Sequence, residues 1–148
     1  MSKTMKRALL LVALGVAAPA AALGEEIDVW RSPFCGCCHL WMKHMESAGF
    51  TVRSNETDDL MAVKRERKVP PDLASCHTAV VAGYTIEGHV PAADVQKLLA
   101  DRPDALGLVL PGMPAGSPGM GIGAEPYDVL LLQKDGSTKI FAHHAGTT

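Results

Sequence analysis

Hydrophobic and polar positions along the chain switch several times between the spacing of a strand and that of a helix, and each switch predicts the end of one element and the start of another. A short β-prone run precedes Gly36, for example, and after Gly36 apolar residues recur every three to four positions. Proline and glycine interrupt the pattern where the elements end. Strands are predicted at 27–30, 50–54, 78–82, 84–87, 127–132 and 138–142, and helices at 36–48, 56–68 and 91–99.

This order of elements predicts a single α/β domain. Strands and helices follow one another as β-α-β-α-β-β-α, and a hairpin that turns at Asp135 and Gly136 is added at the C-terminal end. Such an order describes a small central mixed sheet with helices on its faces. Between the last helix and that hairpin, residues 103–125 are rich in proline and glycine, and we expect a loop without lasting regular structure there.

Residues 1–24 have the composition of a secretory signal peptide. Basic residues near the start are followed by an apolar run and by small residues up to Gly24. A membrane anchor is the alternative, but Gly15 and Pro19 interrupt a stretch shorter than the roughly 20 apolar residues that span a bilayer. We therefore expect cleavage, one exported domain at 25–148 without a membrane span, and a periplasmic location where thiols meet oxidants.

Composition and charge narrow the classes of function. Apolar residues make up 47% of the chain, so it can bury enough surface to fold. A formal net charge of -2 at pH 7 leaves no basic field for nucleic acid. The sequence also contains no G-x-S-x-G, H-E-x-x-H or phosphate-binding P-loop motif. Four cysteines are too few for a disulfide-dense miniprotein and enough for one metal or redox site.

Three of the four cysteines lie within four residues, where the first predicted strand gives way to the first helix. Cys35 and Cys38 form a C-x-x-C pair, and we expect ionised sulfur there because the start of a helix stabilises thiolate over thiol. Thiolate is both the nucleophile of disulfide exchange and a ligand of soft metals. Cys37 lies between the two, and a disulfide between the adjacent Cys37 and Cys38 would be strained. This crowding favours multidentate metal binding over paired structural bridges.

Four blocks of the chain resemble, in sequence and in order, the CopG-like copper-resistance proteins. The blocks are WRSPFCGCC at 30–38, SCHT at 75–78, GYTIEGHVP at 83–91 and GMPAGSPGM at 112–120. The resemblance extends over residues 27–141, and it implies an exported, thioredoxin-like domain that holds copper on cysteine sulfur and has a redox role in copper handling. It also implies that the segment before the third strand faces the C-x-x-C pair and brings a fourth sulfur to the site. The matching thiols are Cys35, Cys37, Cys38 and Cys76.

The chemistry of the sulfur ligands favours copper independently of this resemblance. Thiolate and thioether select Cu(I), whereas imidazole suits copper and zinc alike. A structural zinc site usually shows two well-separated ligand pairs, and here the ligands crowd together. Thiolates that bridge several Cu(I) ions fit this crowding, so more than one copper ion is expected. The candidate additional ligands are His39, His77, Met113 and Met120.

Met113 and Met120 stand near the two ends of a Pro/Gly-rich stretch that has no helical period. Long loops in compact domains are usually functional or disordered, and we expect this one to fold over the cysteine site, where one of the methionines shields or reaches the metal. Ordinary loop packing is the alternative, because methionine fills gaps well. His89 follows the predicted 78–87 hairpin and is equally compatible with a structural and a functional role.

Two other interpretations of the cysteines remain open. The four cysteines could form two disulfides in one of three pairings, which would make the protein a disulfide-stapled interaction domain. Alternatively, the protein is a periplasmic oxidoreductase, linked to the oxidation state of copper, in which Cys35 is the nucleophile and Cys38 the resolving thiol. Enzymatic turnover is thus left open. For the favoured function, copper binding, the expected partners are copper ions and other exported copper-handling proteins.

Overall fold

The computed structural model describes residues 24–123 and 125–146 of the chain. The predicted signal peptide at 1–24 lies outside this part except for Gly24, so its cleavage stays a prediction. Within the described ranges, no helix is both long enough and apolar enough to cross a membrane.

Strands and helices alternate in the described part of the chain largely as the hydrophobic pattern predicts. The strands are β1 (Glu26–Arg31), β2 (Thr51–Glu56), β3 (His77–Val81), β4 (Tyr84–Glu87), β5 (Gly107–Val109), β6 (Tyr127–Leu132) and β7 (Thr138–His144). The helices are α1 (Gly36–Ser47), α2 (Leu60–Glu66) and α3 (Ala92–Asp101), with a 3-10 turn at Pro71–Leu73.

These strands form one open, mixed sheet in the order β2-β1-β3-β4-β5-β6-β7. β1 pairs in parallel with β2, and β4 in parallel with β5, whereas the other neighbours are antiparallel. A β1-α1-β2 crossover followed by the β3-β4 hairpin and α3 is the thioredoxin-like arrangement, and β6 and β7 are the added C-terminal hairpin. The predicted fold class is therefore confirmed.

Large apolar side chains on one face of α1 belong to the core. Trp41 and Met45 are completely buried, and Met42 is nearly so. The Trp41 indole Nε1–H donates a hydrogen bond to the Val90 carbonyl at 2.8 Å, which ties α1 to the segment before α3. The helical spacing of these residues thus reports core packing. From the sheet and α3, the same cluster includes Ile27, Val29, Ala79, Val81, Ile86, Val95, Leu98 and Leu108.

The second helix is shorter than the pattern predicts. A helix from residue 56 is expected, but β2 extends through Glu56 and α2 begins only at Leu60. Parallel pairing places Glu56 opposite Arg31 of β1, which keeps this residue in the sheet. Asp59 then caps the helix, since its carboxylate accepts a hydrogen bond from the Ala62 N–H at 2.9 Å. The predicted start was wrong because strand pairing and the cap decide it, not the charge pattern.

The segment expected to be a loop at 103–125 contains a short strand, β5. It lies parallel to β4, with Leu108 opposite Ile86. At its start, Gly107 approaches β4 so closely that a Cβ atom would lie 1.7 Å from the Thr85 carbonyl oxygen. Three residues show no period, and their pairing partner is distant in sequence, so the local pattern does not reveal this strand. The other described residues of the segment form neither helix nor strand.

His44 joins α1 to the start of α3 and links the stability of the fold to pH. Its Nε2 accepts a hydrogen bond from the Ala92 N–H at 3.0 Å, and burial lowers the pKa of His44 below its usual 6.5. The unfolded chain binds a proton that the folded chain excludes, so this stability is full above pH 6.5 and is lost as the pH falls below it. We expect His44→Gln, whose amide oxygen can accept the same bond, to reduce the loss.

Urea unfolding at pH 7.5 and pH 5.5 measures this effect on the metal-free protein. The decrease in unfolding free energy between the two pH values should be smaller in His44→Gln, by up to about 1 kcal/mol, the net contribution of one hydrogen bond. Burial also lowers the pKa values of His77 and His89, so part of the decrease should remain in His44→Gln. His39→Gln, at an exposed position on α1, is the matched control. Equal decreases in wild type and His44→Gln would contradict the role of His44.

Candidate metal centre

Strand pairing brings the fourth cysteine to the other three. Cys35 is the N-terminal cap of α1, and Cys37 and Cys38 lie in its first turn. Cys76 immediately precedes β3, whose first residue, His77, is opposite Arg31 at the end of β1. Because β1 leads directly into α1, the start of β3 and the start of α1 meet at one edge of the sheet. The four Sγ atoms all lie within 4.8 Å of one another.

The cysteines are in a partly oxidised form in this structure. Cys35 and Cys38 form a disulfide, and Cys37 and Cys76 are free thiols. The Sγ atoms of Cys35 and Cys37 are 3.6 Å apart. The structure therefore contains one disulfide and not two, which was the alternative for the four cysteines. Reduction of the one disulfide makes all four sulfurs available as ligands.

Two histidines extend the cluster beyond sulfur. Cys38, Cys76, His77 and His89 form a second group whose ligand atoms lie within 4.8 Å of one another, so the two groups share two sulfurs. The Cys76 Sγ atom is 2.9 Å from His89 Nε2 and 3.4 Å from His77 Nδ1. Both imidazoles are completely buried. The site thus offers four sulfur and two nitrogen donors.

The hydrogen bond of His89 to the loop fixes which of its nitrogens faces the cluster. His89 Nδ1 is 2.8 Å from the Pro118 carbonyl oxygen, and a carbonyl can only accept. Nδ1 therefore carries the proton, and Nε2 presents its lone pair to Cys76. Burial lowers the pKa of His89, although the bond to Pro118 acts in the opposite direction. A carbonyl that holds the far nitrogen in this way is the usual support of a metal-binding histidine.

His77 is buried with one nitrogen unpartnered. Its Nε2 is one of two buried side-chain nitrogen or oxygen atoms in the described ranges that lack a hydrogen-bond partner. Burial, reinforced by His89 and Lys64, holds the pKa of His77 well below its usual value, so the ring is neutral. The centroid of its ring is 4.3 Å from that of Trp41, which restricts its orientation. A neutral, oriented imidazole next to sulfur is able to bind a metal.

Cys76 departs from the expectation that the sulfurs are ionised. Burial, followed by the nearby charge of Cys37, raises the pKa of Cys76 to about 12. The partial positive charge of a helix start acts within one turn of that helix, and Cys76 belongs to a different segment. In the metal-free protein Cys76 is therefore a protonated thiol at neutral pH, and a metal that binds it must displace this proton.

The remaining predicted ligands lie apart from the two groups. Among the described residues, His39 belongs to neither group, and its side chain is exposed on α1. Met113 is 52% exposed, and Met120 is half-buried. A ligand role for these three residues stays a prediction. His89, in contrast, belongs to the site although the sequence left its role open. Two signals in the sequence point to His89: it follows the predicted strand at 84–87 and it lies in the family-like block at 83–91.

The Pro/Gly-rich loop lies over the start of α1, as its length and composition predict. Two of its backbone carbonyls contact the site: that of Pro118 meets His89, and that of Gly112 accepts a hydrogen bond from the Ser75 hydroxyl at 2.6 Å. Gly119, with a φ of +88°, passes so close that a Cβ atom would lie 2.9 Å from the Cys37 carbonyl oxygen. The loop therefore holds the cysteine segments through its main chain.

The fold and the cluster define the class: an α/β, thioredoxin-like domain with a compact cysteine–histidine site. Comparison with solved structures finds two named copper resistance protein copG, form 1 and form 2. Both are 45% identical to this chain, with TM-scores of 0.79 and 0.78. The matches cover 83% and 82% of this chain and 99% and 98% of the respective neighbour. The chain belongs to the CopG copper resistance protein family, which confirms the resemblance of the four sequence blocks.

A family model described as a protein of unknown function, DUF411, matches residues 73–120. That segment contains Cys76, both buried histidines of the site and the loop up to Met120. No curated protein matches the chain.

The raised pKa of Cys76 predicts slow alkylation. At pH 8 a thiol of pKa about 12 is ionised to roughly 10⁻⁴, against about a quarter for a free cysteine of pKa near 8.5, and only the thiolate reacts. We expect iodoacetamide to modify Cys76 about a thousandfold more slowly than a free cysteine, with a tenfold increase per pH unit up to pH 10. Peptide mass spectrometry follows the rate, and denatured protein is the control. Modification at the rate of the denatured chain would show that the fold does not hold Cys76 as a protonated thiol.

The close approach of Gly119 predicts a steric effect that another glycine of the same loop lacks. Gly119→Ala adds a Cβ against the start of α1, whereas Gly121, with a φ of +80°, has no atom within 4 Å of the added Cβ. We expect Gly121→Ala to cost about 1–2 kcal/mol of unfolding free energy from backbone strain alone. Gly119→Ala should cost about 1–3 kcal/mol more, from overlap. Urea unfolding measures both, and equal losses would place the loop away from α1.

Proposed function

We propose that this protein is an exported copper-binding protein that holds Cu(I) on its cysteine cluster, in copper resistance or copper handling. The observation that carries the proposal is the convergence of the Sγ atoms of Cys35, Cys37, Cys38 and Cys76 within 4.8 Å. Thiolate sulfur is a soft donor that favours Cu(I), zinc and iron–sulfur clusters over hard cations. The names of the two solved relatives, both copper resistance proteins, support the same function.

The donor set supports copper over zinc and more than one ion. A structural zinc ion takes four ligands in a tetrahedron, and this site offers six donors in two groups that share Cys38 and Cys76. Shared thiolates bridge neighbouring ions, which suits a small Cu(I) cluster. His77 and His89 add nitrogen, a ligand that copper also accepts. Because Cys76 must lose its proton, we expect copper affinity to fall as the pH falls.

A second candidate function is that of a thiol-disulfide or copper-linked oxidoreductase. The observation that favours it is the disulfide between Cys35 and Cys38, in which Cys35 is part-exposed and Cys38 is completely buried. An incoming thiolate would attack the reachable sulfur, Cys35, and Cys38 would leave. With copper as the reductant, two Cu(I) ions would each give one electron and become Cu(II), and two protons would complete the dithiol.

The proposed location is the periplasm, and it depends on the signal peptide predicted at 1–24. An oxidising compartment also suits a protein whose C-x-x-C pair is a disulfide. Copper would pass to or from other exported copper-handling proteins. Phe34, which precedes Cys35 in the chain and is 93% exposed, is a candidate contact for such a protein.

Anaerobic Cu(I) titration against a competing chelator tests the proposal. The reduced protein should bind more than one Cu(I) per chain, and the form with the Cys35–Cys38 disulfide should bind fewer, because two sulfurs are withdrawn. Cys76→Ser should weaken binding at least tenfold, since Cys76 belongs to both donor groups. His143→Ala, an exposed position on β7 outside both groups, is the matched control and should bind as wild type does.

Cys35→Ser and Cys76→Ser separate the two candidate functions. An oxidoreductase should turn over a disulfide substrate, lose that activity in Cys35→Ser and retain it in Cys76→Ser. A copper-binding protein should lose Cu(I) affinity in both variants. Absence of Cu(I) binding by the reduced wild type, or unchanged affinity in Cys76→Ser, would overturn the copper-binding proposal.

A further inference from the structure

A buried ion pair is hydrogen-bonded to residues 75–78, the segment that carries Cys76 and His77. Lys64 of α2 and Glu87 at the end of β4 contact each other, and they are only 3% and 0% exposed. Removing two charges from water is costly, and such a pair often adds nothing to stability over apolar residues of similar size. Stability alone therefore does not explain why this ion pair is buried at this position in the fold.

The hydrogen bonds of this pair converge on one short segment. Glu87 Oε1 accepts from the Ser75 backbone N–H at 2.6 Å, and Glu87 Oε2 accepts from the Thr78 hydroxyl at 2.7 Å. The same hydroxyl accepts from Lys64 Nζ at 3.1 Å. Every oxygen of the buried carboxylate is thus used, and both ends of the 75–78 segment are fastened to it.

The two residues between these attachment points are candidate ligands. Cys76 and His77 lie between Ser75 and Thr78, so the carboxylate holds the main chain on either side of them. The side chains of Cys76 and His77 take no part in these hydrogen bonds. The bonds act on the backbone and on a neighbouring hydroxyl, and they leave the Cys76 sulfur and the His77 ring free for a metal.

His89, the third candidate ligand outside α1, lies two residues after Glu87 in the chain. Glu87 is followed by Gly88 and His89, and the Gly88 N–H donates a hydrogen bond to the His77 carbonyl at 3.1 Å. A Cβ atom at Gly88 would lie 2.7 Å from the Ser75 hydroxyl oxygen, so the two segments are in close contact. Displacement of the carboxylate would move both segments together.

We infer that Lys64 and Glu87 form a positioning pair, which sets the geometry of Cys76, His77 and His89 as ligands without touching the metal. The inference rests on the proposed copper-binding function and adds the residues that hold one half of its donor set. The other half of the donor set, the three cysteines at the start of α1, is positioned by α1 and has no hydrogen bond to the Lys64–Glu87 pair among those of the described residues. The pair should therefore affect the copper ion on the Cys76 side and leave the α1 sulfurs able to bind.

Glu87→Gln tests the inference, because it keeps the side-chain volume and removes the charge and one acceptor. Outer residues that orient metal ligands typically contribute 10–100-fold to metal affinity. We expect the Cu(I) held on the Cys76 side to lose affinity by that factor, which a chelator titration of the reduced protein measures as one weakened step. X-ray absorption of the copper-loaded variant should show fewer nitrogen ligands per copper than wild type. A purely structural role would lower the unfolding midpoint and leave this ligand count unchanged.

Asp94→Asn is the matched control. Asp94 is a carboxylate of α3, 6% exposed, that contacts His144 of β7 and none of the candidate ligands. Its loss should leave copper affinity and the ligand count as in wild type. Thr78→Val is the second variant: it removes the hydroxyl that links Glu87 to the segment and keeps the ion pair, and we expect a several-fold loss of affinity. If Glu87→Gln does not fold, Thr78→Val decides the outcome by the same measurements.

The outcomes are distinguishable from those of the proposed function. Wild type that binds no Cu(I) would overturn the copper-binding proposal, and the positioning pair with it. Wild type that binds Cu(I), together with unchanged affinity and unchanged nitrogen count in Glu87→Gln, or in Thr78→Val where that variant decides, would overturn the positioning pair alone.

Discussion

The candidate site depends on the antiparallel pairing of β3 with β1, in the register that puts His77 opposite Arg31. This pairing carries Cys76 to the point where β1 ends and α1 begins. A slip of one residue would turn the His77 side chain from the buried face to the opposite one and move Cys76 along the strand. The register is secured because one face of β3 is buried against the core, through Ala79 and Val81. The apolar packing of the sheet thus fixes the distance between sulfurs that are far apart in sequence.

Burial at this point has a chemical consequence that opposes the effect of the helix start. Desolvation disfavours the charged form of a thiol, and for Cys76 this outweighs any favourable field, so the metal-free cluster keeps a proton there. The neutral state of His77 has the same origin. A soft cation or a covalent bond to sulfur relieves the cost of desolvating a thiolate. The site is therefore arranged for occupants that replace protons, and its affinity for them is coupled to pH.

Local pattern predicts those parts of the fold whose partners are close in sequence. The β3-β4 hairpin, α1 and α3 follow from periodicity and from glycine and proline at their ends, and the C-x-x-C pair is visible as a motif. What the pattern misses depends on distant pairing. β5 exists because β4 is beside it, and α2 starts late because β1 holds Glu56 in the sheet. In the sequence, Lys64 looks like a solvated charge on a polar helix, and only the folded chain shows its contact with Glu87. Likewise, His89 becomes a candidate ligand only because the β3-β4 hairpin places it next to Cys76.

The donors of the site are attached to elements that share a large apolar core, which small domains that fold only around zinc lack. Trp41 is buried beneath His77, and the loop backbone and the Lys64–Glu87 pair hold the remaining segments by hydrogen bonds within the chain. Contacts within the chain thus restrict the ligands independently of a metal, which lowers the entropic cost of binding. Binding and release then need not involve unfolding. For a protein that is proposed to take up copper and pass it on, this means that the metal can leave while the geometry that received it persists.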